Sequence, residues 1–271
     1  MFLEYTPEEL KIETLYKYRS LNENAYEHTI NILKNAELFF IAPTKFNDPF
    51  DCSVDKIDKF TDEELYAFLK INNCTDKQIA VILSKNKSGT LDLSELKRTD
   101  NKDKFRMFCL SKVNSHILMW SHYADMHKGI CIGFKTTIYK NKLTIRCKEN
   151  QIEDNLRYLP VFRVDYKDEK PEPIKLFDFH YEDLCRFIYR KAECWSYEEE
   201  YRIALCEELV LNNPVIIGHD EISEVYLGLK IDKDKKESII EIIKNLPNKN
   251  IRIYKMIEVH GKYQVESELI H

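Results

Sequence analysis

FRMFCLSKVNSHILMWSHYADMHKGICIGF, residues 105–134, is the stretch from which the fold class follows. Phe105 to Ser111 reads as a buried strand, Ile117 to Tyr123 as a short helix or turn, and Gly129 to Phe134 as a second strand. Along the chain the order of strands and helices is mixed rather than a regular βα repeat, so a mixed sheet is expected rather than a parallel one.

Upstream, Tyr26, Ile30 and Leu33 recur at helical spacing behind Asn22-Glu23-Asn24 and predict a helix ending near Asn35, which feeds the apolar run Leu38 to Ile41. Pro43 and Asn47-Asp48-Pro49 force turns. Short helices are expected from Thr61 to Leu96, and Lys85 to Lys104, rich in charge and poor in apolar anchors, reads as a surface loop or small helical insertion. Downstream, Val161 to Tyr166 alternates like a strand. Phe177, Tyr181, Leu184 and Ile188 mark a helix, and Tyr201 to Cys206 a strand. The last third carries Val215 to Ile217, Val225 to Gly228, a helix with Ile239, Ile243 and Leu246 on one face, and the strand Ile251 to Val259. Asp234 and Glu237 resemble a capping box for that helix. With no internal repeat and no Pro/Gly linker, residues 1–271 are expected to form one α+β domain. Its centre is a mixed, largely antiparallel sheet flanked by helices, with an insertion at about 61–104.

The totals exclude several classes. Of 271 residues, 44% are hydrophobic, enough for a substantial core. No run of eighteen apolar residues occurs, so no membrane partner is expected, and Met1 to Tyr5 lacks the start of a secretion signal; the expected address is cytoplasmic. The eight cysteines stand singly, mostly in apolar stretches such as those around Cys109 and Cys131, as reduced core residues do. A net charge of −5 argues against general nucleic-acid affinity, though a local basic groove remains compatible with it. With six glycines there is no phosphate-cradling loop, no Gly-x-Gly-x-x-Gly, no Gly-x-Ser-x-Gly and no His-Glu-x-x-His.

The segment richest in chemistry is Lys191 to Ile203, where Glu198, Glu199 and Glu200 meet the start of a strand between aromatic residues. Strand alternation puts Tyr201, Ile203 and Leu205 on one face and Glu200 and Arg202 on the other, so Arg202 is placed to hold Glu200. Taken alone, these acids read as a solvated strand entrance and Glu200–Arg202 as a surface pair worth little. Trp195 and Tyr197 weigh against that, because bulky aromatics can bury a carboxylate and offer a stacking surface. Leu118 to Gly129 concentrates polar aromatics and imidazoles. His122 and His127, five apart, fall on different helical faces and make no zincin pair; Tyr123 is better placed for stacking or hydrogen bonding. Leu15 to Ser20 alternates Tyr16 and Tyr18 with Lys17 and Arg19, as a polar edge strand would. Phe46 to Asp51 reads as a rigid turn pinned by Phe46 and Phe50, with Asn47 and Asp48 suited to turn hydrogen bonds.

Taken together, Leu15 to Arg19, Phe46 to Asp51, Cys109 to Ser111, Trp120 to Tyr123 with His127 to Phe134, and Trp195 to Arg202 resemble a bacterial family, domain of unknown function 2971 (DUF2971), from about Leu15 to Gly228. A further likeness is to ADP-ribosyltransferases, whose Arg, Ser and Glu-x-Glu signature would fall on Arg19, Ser111 and Glu198-x-Glu200; Cys109-Leu110-Ser111 departs from the Ser-Thr-Ser of many such enzymes. That likeness implies an ADP-ribosyltransferase-like fold and an NAD-consuming transferase or glycohydrolase of bacterial defence or toxin type. NAD would be its substrate, and no metal would be needed. Glu200 and Glu198 would be catalytic, with Arg19, Ser111, Tyr123, Trp195, Arg202 and His122 binding substrate. Glu200 would stabilise the positive ribose, Arg19 would hold the pyrophosphate, Tyr123 or Trp195 would stack on nicotinamide, and Glu198 would orient or deprotonate the acceptor. The acceptor would be a protein or nucleic acid, with an antitoxin or defence partner as a further expectation. Two other readings stand beside it: a non-catalytic sensor for a nucleotide or protein, and a metal-dependent hydrolase using Asp48, Asp51 and the acids at 198–200.

Overall fold

The computed structural model describes residues 4–57, 61–91, 105–148, 157–175, 181–207 and 214–271. Its centre is an eight-stranded sheet. In chain order the strands are β1 (Thr14–Arg19), β2 (Phe105–Ser111), β3 (Ile130–Lys135), β4 (Phe162–Arg163), β5 (Glu200–Cys206), β6 (Ile222–Leu227), β7 (Arg252–Glu258) and β8 (Val265–Leu269). Across the sheet they run β8-β7-β6-β3-β1-β2-β5-β4. Every neighbouring pair is antiparallel except β6 and β7, which are parallel and joined through a helix. This is the mixed, largely antiparallel α+β architecture expected from the sequence.

Among the described residues six α-helices accompany it: α1 (Glu23–Asn35), α2 (Asp62–Ile71), α3 (Asp76–Lys87), α4 (Ile117–Tyr123), α5 (Tyr181–Ile188) and α6 (Lys233–Asn245). Asn22 caps α1 by accepting from the Ala25 N–H at 3.0 Å, and Ala36 closes it in the left-handed region. The apolar stripe of α1, Ile30 and Leu33, and that of α6, Ile239 and Ile243, join one core with Leu15, Ile130, Ile132, Val225 and Ile253. Each fully buried side chain of this kind contributes roughly 1.5–3 kcal/mol. Because strand side chains alternate, Tyr18, Cys131, Tyr226 and Met256 point the other way and pack with Met119 and Trp120 of α4. Helices therefore cover both faces. α2 and α3 start with true capping boxes, Thr61 with Glu64 and Thr75 with Gln78, and share a small core of Leu65, Leu69 and Ile79. Of the Lys85 to Lys104 stretch, residues 92–104 lie outside the described residues, as does Phe177.

Several local expectations change. β1 lies between β3 and β2, not at an edge; its alternation reflects two covered faces. Val161 to Tyr166 is two short strands, because Val164 is turned inward: Phe162–Arg163 joins the main sheet while Asp165–Tyr166 pairs in parallel with Arg190–Lys191. The cap of α6 is Asp232, with no side-chain capping bond, which moves Asp234 into the first turn. Phe46 packs beside Cys52 and Met107, but Phe50 is 71% exposed and pins nothing.

The sheet is interrupted at one place, and that place makes the site. β1 is joined to β3 from Thr14↔Lys135 to Arg19↔Ile130, and β2 to β5 from Phe105↔Cys206 to Ser111↔Glu200. β1 and β2 themselves meet at Tyr16↔Ser111 and then part. Further along β2, Ile41 takes the vacated edge: its N–H donates to the Met107 carbonyl at 3.0 Å and its carbonyl accepts from Met107 at 2.8 Å. A side chain, Lys17, spans the remaining gap by donating to the Cys109 carbonyl at 2.8 Å.

Candidate functional site

A cavity of about 650 Å³ occupies this parting of the strands. Its walls include Lys17, Arg19 and Ser20 of the β1 segment, Ala25 and His28 of α1, Phe39 to Ile41, Lys45 to Asn47, Cys109 to Ser111 of β2, Met119, His122 and Tyr123 of α4, and Lys191, Glu198 and Glu200. Lys17 and Arg19 share the strand face of Leu15, toward α1, whereas the carboxylates reach the cavity from the side of α4 and α5. The cavity is therefore cationic at one end and acidic at the other.

The acidic end is built by a change of backbone conformation. Glu198 ends a 3₁₀ helix, Glu193–Glu198, and Glu200 begins β5; between them Glu199 adopts φ 40°, in the left-handed region. This single reversed residue turns Glu199 out to solvent and both neighbours inward. The end of β2 clamps the turn: Ser111 Oγ donates to the Glu198 carbonyl at 2.6 Å, and the Lys112 N–H donates to that of Glu199 at 3.0 Å. The Glu200 N–H donates to the Tyr166 hydroxyl at 2.8 Å.

Behind the two carboxylates lies a buried ionic network. Arg202, with no solvent exposure, donates from Nε and Nη2 to the two oxygens of Glu200, both at 2.8 Å. From Nη1 and Nη2 it forks onto Asp51 at 2.9 and 2.7 Å, and Nη1 also reaches the Ile188 carbonyl at 2.6 Å. Its five N–H donors are thus accounted for. Lys191, also buried, donates to Glu198 Oε2 at 2.5 Å and Glu200 Oε2 at 3.3 Å and lies 3.6 Å from Asp51 Oδ2. Tyr123 donates to Glu198 Oε1 at 2.6 Å, and Asn47 Nδ2 donates to the Tyr123 hydroxyl at 3.4 Å. The acids at 198 and 200 are not a solvated strand entrance, and Glu200–Arg202 is not a surface pair.

The two carboxylates titrate differently because their neighbours differ. Burial opposes ionisation of Glu200, but Arg202 and Lys191 overcome it and hold the carboxyl well below the usual range. For Glu198, burial and the adjacent Glu200 charge push the carboxyl up, against the opposing pull of Lys191 and Tyr123. Burial pulls the Lys191 amine down, yet the three carboxylates around it keep it above its ordinary value. Burial, then Glu198, push the Tyr123 phenol up, so it remains a donor at working pH. The site holds a fixed anion, Glu200, beside a proton-affine carboxyl, Glu198.

Of the residues proposed from sequence, Arg19, Ser111, Tyr123, His122, Glu198 and Glu200 line the cavity together. Arg19 is half-buried, and Nε donates to Thr29 Oγ1 at 3.3 Å. Ser111 spends its hydroxyl on the Glu198 carbonyl. His122 is exposed at the cavity wall, beside the rings of Tyr123 and Tyr197. Trp195 and Arg202 are not among the lining residues: Trp195 packs under Lys191, whose Nζ is 4.9 Å from its ring, and Arg202 stands behind Glu200. Lys17 and Lys191 were not singled out as site residues by the sequence, and Asp51 was named only as an acid of the metal-dependent reading. Asp51 and Lys191 carry no recognisable spacing to Arg202; the alternation that places Arg19 on a strand face places Lys17 there too. Among the described residues no group of three or more His, Cys, Asp or Glu side chains is arranged to hold a metal ion, and Asp51 and Glu200 are tied to Arg202 and Lys191 instead.

Residues 119–203 match the family model described as Protein of unknown function (DUF2971). The match runs from α4 into β5 and takes in His122, Tyr123, Lys191, Glu198, Glu200 and Arg202, so the DUF2971 resemblance read from the motifs is shown over that stretch. No curated protein and no solved structure matches the chain.

Proposed function

We propose that the protein is an NAD-consuming enzyme of ADP-ribosyltransferase type, a transferase or glycohydrolase, acting in the cavity between β1 and β2. The observation that carries this reading is the opposition, across one cavity, of cations at Lys17 and Arg19 and a carboxylate pair at Glu198 and Glu200. A dinucleotide presents matching groups, with anionic phosphates beside a ribose whose anomeric carbon gains positive charge as its bond to nicotinamide breaks. Arg19 suits the pyrophosphate through its permanent charge and forked donors. Glu200, ionised at every working pH, fits the ribose end. Arg202 orients the Glu200 carboxylate, with Oε1 accepting from Nε at 2.8 Å. Glu198, with its raised proton affinity and its hydrogen bond from Tyr123, fits the proton acceptor that activates water or an acceptor nucleophile. The acceptor in this reading is a protein or nucleic acid.

One observation favours a second reading, a non-catalytic nucleotide sensor: the charge of Glu200 is already balanced by Arg202 and Lys191, which leaves less of it for a developing cation. Nicotinamide release from NAD, with and without cell lysate, by wild type, Glu198→Gln and Glu200→Gln separates the two. Release by wild type and its loss in folded variants supports the enzyme. Stabilisation by NAD without release supports the sensor. Full release by folded Glu200→Gln would remove that residue from the chemistry.

A further inference from the structure

We propose that Lys17 and Arg19 form a two-point clamp for a dianionic phosphate or pyrophosphate group, with Lys17, and not Arg19 alone, selecting ligands of that charge. The inference rests on the reading of this cavity as the ligand site and adds to it the class of group bound at the α1 end.

The two side chains stand two residues apart on one strand and point to the same face, where β1 has parted from β2. Both line the cavity. Lys17 Nζ donates one hydrogen bond, to the Cys109 carbonyl at 2.8 Å, and lies 4.6 Å from the centre of the Phe108 ring. An ammonium carries three N–H donors, so donors remain for a ligand. Arg19 donates from Nε to Thr29 Oγ1 at 3.3 Å, and among the described residues its Nη atoms make no hydrogen bond. Among the described residues neither makes an ion pair.

This is an expensive arrangement for an empty site. A charge withdrawn from water costs several kcal/mol unless paired, and two like charges on one strand face add repulsion. Burial, with Arg19 contributing and Cys109 and Glu200 opposing, pushes the Lys17 amine below its ordinary value, and burial does the same to Arg19. The contrast with Lys191 is informative: a lysine of this fold that serves structure is surrounded by Asp51, Glu198 and Glu200. A phosphate dianion between Lys17 and Arg19 would bring a countercharge into direct contact with both and fill the open donors. A neutral sugar or free nucleobase would do neither.

The test uses inorganic pyrophosphate and needs no NAD and no turnover. Titration calorimetry on wild type, Lys17→Met and Arg19→Met is expected to show binding that weakens at least about tenfold in each variant, the size of a lost charge-assisted hydrogen bond. The exposed Lys140→Met should bind as wild type does. Wild type offers a second route that survives a misfolding variant. Pyridoxal phosphate joins an aldehyde to a phosphate; condensation of the Lys17 amine with the aldehyde carbon expels water, and borohydride reduces the imine to a stable amine. Peptide mass spectrometry should find the label on Lys17, with pyrophosphate preventing it. Equal pyrophosphate affinity in wild type and folded Lys17→Met, or labelling that spares Lys17 or ignores pyrophosphate, would overturn the clamp. Pyrophosphate protection in a protein that leaves NAD intact would keep the clamp while removing the NAD reading.

Discussion

Asp51 and Arg202, 151 residues apart in the chain, are joined by two near-parallel hydrogen bonds of 2.9 and 2.7 Å in the protein interior. The fork ties the turn after α1 to β5, and the same guanidinium holds both oxygens of Glu200. Removing one member leaves the others buried without countercharge. Arg202→Met should therefore cost about 3–5 kcal/mol of folding stability. Arg202→Lys should recover only part, because a point charge cannot satisfy two carboxylates through fixed forks. Urea denaturation measures both; a loss below about 1 kcal/mol for Arg202→Met, the size of a surface pair, would show that the network does not hold the fold.

The opposite shifts of Glu200 and Glu198 give opposite acid dependences. Glu200 has its folded-state pKa lowered, so its ionised form stabilises the fold fully above the unfolded value, about 4.3 for a free glutamate, and that contribution is lost as pH falls toward the folded value. Wild type should exceed Glu200→Gln in stability most at pH 7, and the gap should close on acidification. Glu198 is raised, so wild type carries a penalty relative to Glu198→Gln that grows as pH climbs from the ordinary carboxylate range through the raised value. Denaturation midpoints at successive pH values should diverge in these two directions; parallel curves would contradict the assignment.

The main sheet was largely legible because its central strands are short, mostly apolar runs buried on both faces: Phe105 to Ser111, Ile130 to Phe134 and Tyr201 to Cys206 all emerge where β-branched, aromatic and other apolar side chains cluster. What escaped depends on pairing at a distance. β1 resembles an edge because Lys17 and Arg19 look like solvated residues, and only the parting from β2 explains why charges sit inside. The same limit hides the site. Glu198 and Glu200 can be named from their motif, but burial of Glu200 depends on Asp51, Lys191 and Arg202 converging, and no local spacing announces that convergence.

Gly129 supplies a test of how α4 is docked beside the cavity. A Cβ built there would lie 2.2 Å from the Arg19 carbonyl and 2.9 Å from that of Ala124, both backbone atoms that cannot swing away. Gly129→Ala should cost about 1–3 kcal/mol through overpacking and push apart the start of β3 and the end of β1. The loss should be accompanied by weaker pyrophosphate binding, since Arg19 moves with its backbone. Gly261→Ala has open space around its Cβ and only its positive φ to oppose it; it should leave pyrophosphate binding intact. Calorimetric titration of both variants distinguishes a local clash from general destabilisation.

Tyr123 can be probed without disturbing the ionic network. Its hydroxyl donates to Glu198 at 2.6 Å and favours the ionised carboxylate, while its ring is half-buried beside His122. Tyr123→Phe keeps the ring and removes the donor, so Glu198 should hold its proton to a higher pH. If Glu198 is the base, the acid limb of the pH profile for nicotinamide release shifts upward in Tyr123→Phe, with less than about tenfold loss at the new optimum. Glu198→Gln, which removes the base, should lose about 10²–10⁴-fold. A purely structural Tyr123 would lower turnover at all pH values alike and leave the limb where it is. The carboxyl stretch in difference infrared spectra, with Glu198→Gln as the blank, reads the same shift without turnover. An unmoved Glu198 band in Tyr123→Phe would mean that the 2.6 Å contact does not govern its proton.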